Sequence, residues 1–445
     1  MRLLIKVLLV NFGVFCILII VLEGVLATVR PIKPLWNSNL SNLGWRWSES
    51  PYRVALIAGG IRGPRFWLEH EANQLGFRGR KIEYGDEDYV VLLVGDSQVE
   101  AAAAYFEDLP EAVLERYLSK TTPKKVRVFS IATSGWSQDQ QLLALREYFQ
   151  QFRANHVVLW HTPGNDFWEN TFPDRSTSPV KAGAGHLKPT FMFVGDQPNS
   201  QRIELFHPPL PTALSILHRS NMGRVVLKLL AGLGILDIRN LQPNELALRE
   251  WLPMIPPAEG HQTVSQSQCP AEIVSQARFT PHYDEYTGRA LTMEDTEAIE
   301  ESRSYLTPFL EPLSLRDQYS IRITGALVEQ IKALAELNHA KFQVFAPEFT
   351  FNGVPFFSEI RCAKKDNKFY RVNSDLLAPM EALEPDNFIR LKIEIGRYGL
   401  RSVVDRGDEY HLNLLGNNLV MEALAKQIHA SGWPNGIDLS QHITR

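Results

Sequence analysis

The sequence is poor in cysteine. Its three cysteines, Cys16, Cys269 and Cys362, lie far apart and form no Cys-x-x-Cys pair, which removes the usual zinc and dithiol redox patterns. His70-Glu71 is not followed by the histidine that would complete His-Glu-x-x-His, so that zinc motif is missing too. No metal and no cofactor is expected. A basic excess is also lacking: 46 Lys and Arg stand against 50 Asp and Glu, a net charge of -4, and nothing in that balance tracks a phosphate backbone. A nucleic-acid partner is therefore not expected. Internal repeats and low-complexity tracts are absent as well. What remains is a 445-residue chain with 44% hydrophobic residues, enough to bury a full core in one large elaborated domain or two smaller ones.

The N-terminus departs from that globular composition. "MRLLIKVLLVNFGVFCILIIVLEGVLATVR" starts basic at Arg2 and Lys6, runs uncharged from Val7 to Leu22, and regains charge at Glu23 and Arg30. Residues 1–29 read as a single membrane anchor, with Lys6 snorkelling to extend the span. A cleaved secretory signal is the competing reading, since Val25 and Ala27 suit small-residue cleavage. Both readings export everything after about residue 30. Cys16 lies inside the apolar segment, which leaves Cys269 and Cys362 as the pair able to bridge in an oxidising compartment; two unrelated buried thiols are the alternative.

Residues 30–82, rich in Trp, Asn, Gly and Pro with no sustained period, read as a linker and cap. A βα alternation follows over 83–171. Val90–Val94 is a short apolar run suited to a strand buried on both faces; "EDLPEAVLERYLSK" has helical spacing; "KVRVFSI" is a second strand; Gln138–Phe152 is a helix; "HVVLW" is a third strand. Strands separated by helices imply a parallel sheet. Residues 172–307 lose the rhythm and read as an insertion, with a hairpin in "KPTFMFVGDQPNSQRIELFHPP" and a broken helix in "ALSILHRSNMGRVVLKLLAGLGIL". The alternation returns over 308–445 with a helix near Ile323–Asn338, a strand at "KFQVFAP", and a polar loop feeding a final helix that stops at Gly432.

The first strand ends in Gly95-Asp96-Ser97, a hydroxyl delivered to the edge of a sheet. To act as a nucleophile it needs a base, an orienting carboxylate and an oxyanion hole. Residues after neighbouring strands of an open parallel sheet share the crevice at its carboxyl end. Gly135 follows the second strand in "ATSGWS" and Asn165 follows the third in "HTPGNDFWEN", while Asp408 and His411 precede the last helix.

These pieces, with "LNLLG" after His411 and "NQLGFRG" at Asn73–Gly79, resemble the SGNH hydrolase family of GDSL-type esterases, in its membrane-anchored bacterial form. The resemblance covers roughly Asn73–Phe172 and Thr307–Gly432. It implies a three-layer α/β/α sandwich around a parallel sheet. It further implies that Ser97 is the nucleophile, His411 its base and Asp408 the orienter of the imidazole. The oxyanion would be met by the backbone N–H groups of Ser97 and Gly135 and the side-chain amide of Asn165. The activity implied is extracytoplasmic acyl-ester hydrolysis through an acyl-enzyme, on an acylated small molecule or glycan. O-acyl transfer to an envelope or exported polysaccharide uses the same triad, and a non-catalytic binding module keeps the fold alone.

Other residues carry plainer expectations. Asp96 and Asp166 read as structural, capping helix starts or satisfying loop N–H groups. His161 is a candidate rim residue, and Trp136, Trp160 and Trp168 are candidates for a sugar-binding cleft, with core packing the alternative for Trp160. Gln98 and Glu100 stand where many family members carry smaller or apolar residues. No Gly-x-Ser-x-Gly elbow occurs, against an ordinary α/β-hydrolase.

Overall fold

The computed structural model describes residues 2–29, 43–44, 52–57, 65–70, 72–101, 104–174, 187–194, 202–207, 220–233, 243–269, 290–292, 299–351, 353–355, 361–395, 402–404 and 411–431. They divide into two compact units, one of Met1–Trp45, Pro173–Lys188 and His207–Met254, the other of Arg46–Phe172, Pro189–Phe206 and Ile255–Arg445.

In the first unit the N-terminal segment forms helix α1 (Arg2–Val29). Among the described residues no helix is long and apolar enough to cross a membrane. The Glu23 carboxylate of α1 accepts hydrogen bonds from the backbone N–H groups of Asn221 at 2.7 Å and Met222 at 2.8 Å. It thereby caps a second helix, which answers the need of the first amide groups of any helix for outside acceptors. For numbering, α2 (Ser97–Glu100), α3 (Pro110–Leu118), α4 (Gln138–Phe152) and α5 (Pro163–Glu169) belong to the other unit. The helix capped by Glu23 is α6 (Asn221–Gly232), the described part of the broken helix expected there, and α7 (Pro243–Trp251) follows it.

The second unit holds the sheet. Strands β1 (Tyr52–Ile57) and β2 (Arg65–His70) pair antiparallel within the segment that reads as linker. Then come β3 (Tyr89–Gly95), β4 (Val126–Ala132) and β5 (His156–Trp160), as the apolar runs require. The expected hairpin forms from β6 (Thr190–Phe193) and β7 (Ile203–Phe206). Next are β8 (Thr263–Val264), β9 (Ala290–Thr292), β10 (Leu310–Glu311), β11 (Lys341–Phe351), β12 (Val354–Pro355), β13 (Cys362–Lys365), β14 (Lys368–Val372) and β15 (Phe388–Glu394).

Five of these strands, β4, β3, β5, β11 and β15 in that spatial order, pair parallel in one sheet. Numbered by their place in the chain they run 2-1-3-4-5, the order of a doubly wound α/β sheet. Every residue of β3 and β5 is buried, which explains their unbroken apolar runs. Helix α3 packs against α10 (Leu414–Ala430), and α4 against α8 (Leu315–Leu337). Helix α8 starts at Leu315, earlier than its apolar spacing suggests, because the Ser314 hydroxyl accepts from Asp317 N–H at 3.0 Å and opens the helix there. The short helix α9 (Ala378–Leu383) leads into β15. Gly432 lies outside the described residues.

A smaller sheet runs β10-β14-β13-β9, with β8 also on β14. Cys269 and Cys362 are joined by a disulfide across 93 residues of chain, fixing the segment after β8 to the start of β13.

Candidate active site

The chain order 2-1-3 means that the loops leaving β3 and β5 diverge at their carboxyl ends. In sheets of this order ligands bind outside the carboxyl ends of the strands at that switch point. Gly95 is the last residue of β3. A Cβ on it would stand 2.4 Å from Val99 and 3.4 Å from the Cβ of Trp160, so glycine lets the chain turn sharply into α2. The Asp96 carboxylate caps that helix, accepting from Gln98 N–H at 2.9 Å, and Ser97 is its first residue. Ser97 is 6% exposed.

Three further connections converge on this turn. From the first turn of α5, which follows β5, the Asn165 side-chain amide donates to Asp96 Oδ2 at 2.9 Å and, at 3.5 Å, to Glu169 Oε2. From the loop after β4, Ser134 donates its backbone N–H and its hydroxyl to Glu100 Oε2, each at 2.5 Å. The next residue, Gly135, has φ +74°, a left-handed conformation that suits glycine. From the loop before α10, Leu412 donates its N–H to Gln98 Oε1 at 3.2 Å. The structure therefore gathers Ser97, the Gly135 loop, Asn165 and the His411 loop around one turn, and His411 is near enough that its charge bears on Asp96. Asp408 lies outside the described residues.

The motif "LNLLG" anchors the histidine loop. Asn413 accepts from Gly416 N–H at 3.0 Å as the cap of α10 and donates to the carbonyls of Ser402 at 2.8 Å and Val404 at 2.9 Å. Gly416 passes so close to Val403 that a Cβ would meet its carbonyl oxygen at 2.1 Å. The lead-in motif acts from the other side. Arg78 donates to the carbonyls of Glu100 at 2.8 Å, Ala101 and Ala104, holding the end of α2, and Phe77 packs edge-on to Trp136 and Tyr148.

Burial pushes the Asp96 carboxyl above the ordinary aspartate range, and the negative charge of Asp166 pushes the same way; the Gln98 N–H, the Asn165 amide and the charge of His411 oppose both. Asp166 accepts from Thr162 N–H at 2.7 Å and from Gln138 Nε2 at 2.7 Å, the structural role expected of it.

Two expectations are corrected. His161 is no rim residue: it is wholly buried, with Nδ1 2.8 Å from Asp166 Oδ2 and its ring edge-on to Phe167. Trp136, Trp160 and Trp168 are all buried and pack the core, so they line no sugar-binding cleft. Apolar surface this large is worth more inside than at a wet rim. Among the described residues no group of His, Cys, Asp and Glu is arranged to hold a metal ion. The roles of Gln98 and Glu100 escaped sequence reading. Their one signal was polarity in a turn where smaller or apolar residues were expected.

No family model matches the chain, and no curated protein matches it either.

Proposed function

We propose that the chain is an acyl-ester hydrolase of the SGNH type, working through a covalent acyl-enzyme on Ser97. One observation carries the reading: a buried serine opens the helix after the first parallel strand, at the switch point of the sheet, with an asparagine and a histidine loop tied to that same turn. In this mechanism Ser97 Oγ attacks the ester carbonyl carbon while His411 takes its proton. Asp408 holds the imidazole in the right tautomer. The carbonyl oxygen becomes an oxyanion met by the N–H groups of Ser97 and Gly135 and by the Asn165 amide. That amide nitrogen lies 2.9 Å from Asp96 Oδ2 and 3.5 Å from Glu169 Oε2, and on this reading it exchanges the longer contact for one to the oxyanion. Collapse expels the alcohol with the proton from His411; water, deprotonated by the same imidazole, then releases the acid.

The layered finer architecture, an α/β/α sandwich, agrees with the two helix pairs α3 with α10 and α4 with α8. Export agrees with the Cys269–Cys362 bridge, since disulfides persist in oxidising compartments. Attachment to a membrane would draw on α1, where Phe12, Ile17, Leu18, Ile20 and Val21 stand exposed, although no described helix is long and apolar enough to cross one. The substrate is an acylated small molecule or glycan.

The test is ester turnover and fluorophosphonate labelling of the full-length protein. Ser97→Ala should abolish both while the thermal unfolding midpoint stays within a few degrees. Wild-type turnover in that variant, or labelling of another serine, removes Ser97 from the mechanism.

A further inference from the structure

Glu100 and Gln98 do more than fill the turn. Glu100 is 2% exposed, and one of its oxygens takes both donors of Ser134. Holding the N–H and the hydroxyl of one residue anchors it at two points. Gly135, whose N–H is the candidate oxyanion donor, is the next residue, so the Glu100 carboxylate anchors the chain immediately before that group. Gln98 acts on a second loop: its Oε1 holds the N–H of the peptide joining His411 to Leu412. Both side chains project from the four-residue helix that begins with Ser97, and Arg78 fastens the far end of that helix.

We infer that Gln98 and Glu100 are positioning residues that fix the His411 loop and the Gly135 loop against the nucleophile, so that one turn of helix sets the geometry of all three groups. The inference rests on the esterase reading above. It predicts that the site tolerates loss of neither bracket. Displacements of about 1 Å in such a constellation cost on the order of 100-fold in rate.

The experiment uses the full-length chain in mild detergent with p-nitrophenyl acetate. Glu100→Ala and Gln98→Leu should each lower kcat about 10- to 100-fold with KM held within about twofold. Glu100→Gln and Gln98→Glu, which keep an acceptor oxygen, should recover part of the loss. The double variant Glu100→Ala with Ser134→Ala should be no slower than Glu100→Ala alone, because both break one interaction. Backbone hydrogen exchange should quicken at Ser134 in Glu100→Ala and at Leu412 in Gln98→Leu. Folded variants with wild-type kcat, or Glu100 and Ser134 losses that multiply, overturn the brackets while leaving the esterase intact. A wild-type protein without turnover or labelling sinks the esterase reading instead. The exchange measurement then still decides the brackets: unchanged rates at both amides overturn them.

Discussion

The Asn165 side-chain amide donates to the Asp96 carboxylate across 2.9 Å, joining residues 69 positions apart that follow two adjacent strands of the sheet. Asp96 also caps the helix that begins with Ser97, so a single carboxylate holds both the turn that carries Ser97 and the Asn165 amide. A neutral acceptor would hold that amide less firmly, since hydrogen bonds to charged groups are the stronger ones.

Asn165→Ala should lower kcat/KM by about 100- to 1000-fold, the cost of one oxyanion donor. Steady-state kinetics on a small ester check this, and a loss below about threefold would mean that Asn165 does not meet the oxyanion.

Asp96→Asn tests the buried charge by pH. Because the folded protein raises the Asp96 pKa, the native state holds this proton more tightly than the unfolded chain. Stability therefore falls as pH rises from the ordinary aspartate range through the raised one, and levels off above it. Urea midpoints should show the wild type losing ground to Asp96→Asn over that window; parallel curves contradict the assignment.

His156 gives the opposite slope. Burial, with Lys341 nearby, lowers its pKa to about 3, so the folded chain keeps the ring neutral where the unfolded chain protonates. Stability should fall by about 1.4 kcal/mol per pH unit from about 6.5 down to the lowered pKa. His156→Gln should remove that slope in urea titrations between pH 4 and 6.

Replacing Cys269 and Cys362 with alanine should cost about 4.6 kcal/mol, from the loop of 93 residues that the bridge closes. Calorimetry should show the same fall in midpoint when the wild type is reduced, and no further fall when the double variant is reduced.

Hydrolysis and transfer differ in what attacks the acyl-enzyme. Given an activated acetyl donor, with and without envelope oligosaccharides, the protein should release free acetate at a rate that ignores the added glycan. Acetylated sugar outrunning acetate would establish a transferase.

The first three strands of the sheet are legible in the sequence because burial on both faces makes their runs continuous. β15 is not. Among the described residues it pairs with β11 alone, and Arg390 and Lys392 interrupt its apolar residues; Arg390 is held by Glu348, Asp375 and Glu381, partners scattered along the chain. At the site, Ser97, Gly135, Asn165 and His411 announce themselves through short motifs. The contacts that assemble them do not, since Gln98 reaches a residue 314 positions away. His161 misleads for the same reason: proximity to Asn165 in sequence says nothing about which way a ring points once Asp166 offers it a buried partner.

Glu23 bears on the maturation of the chain. A peptidase cutting after Ala27 would carry away the carboxylate that accepts from the Asn221 and Met222 N–H groups at the start of α6. A chain shortened there would leave the start of α6 to its Ser220 cap, whose hydroxyl accepts from Gly223 N–H at 2.9 Å.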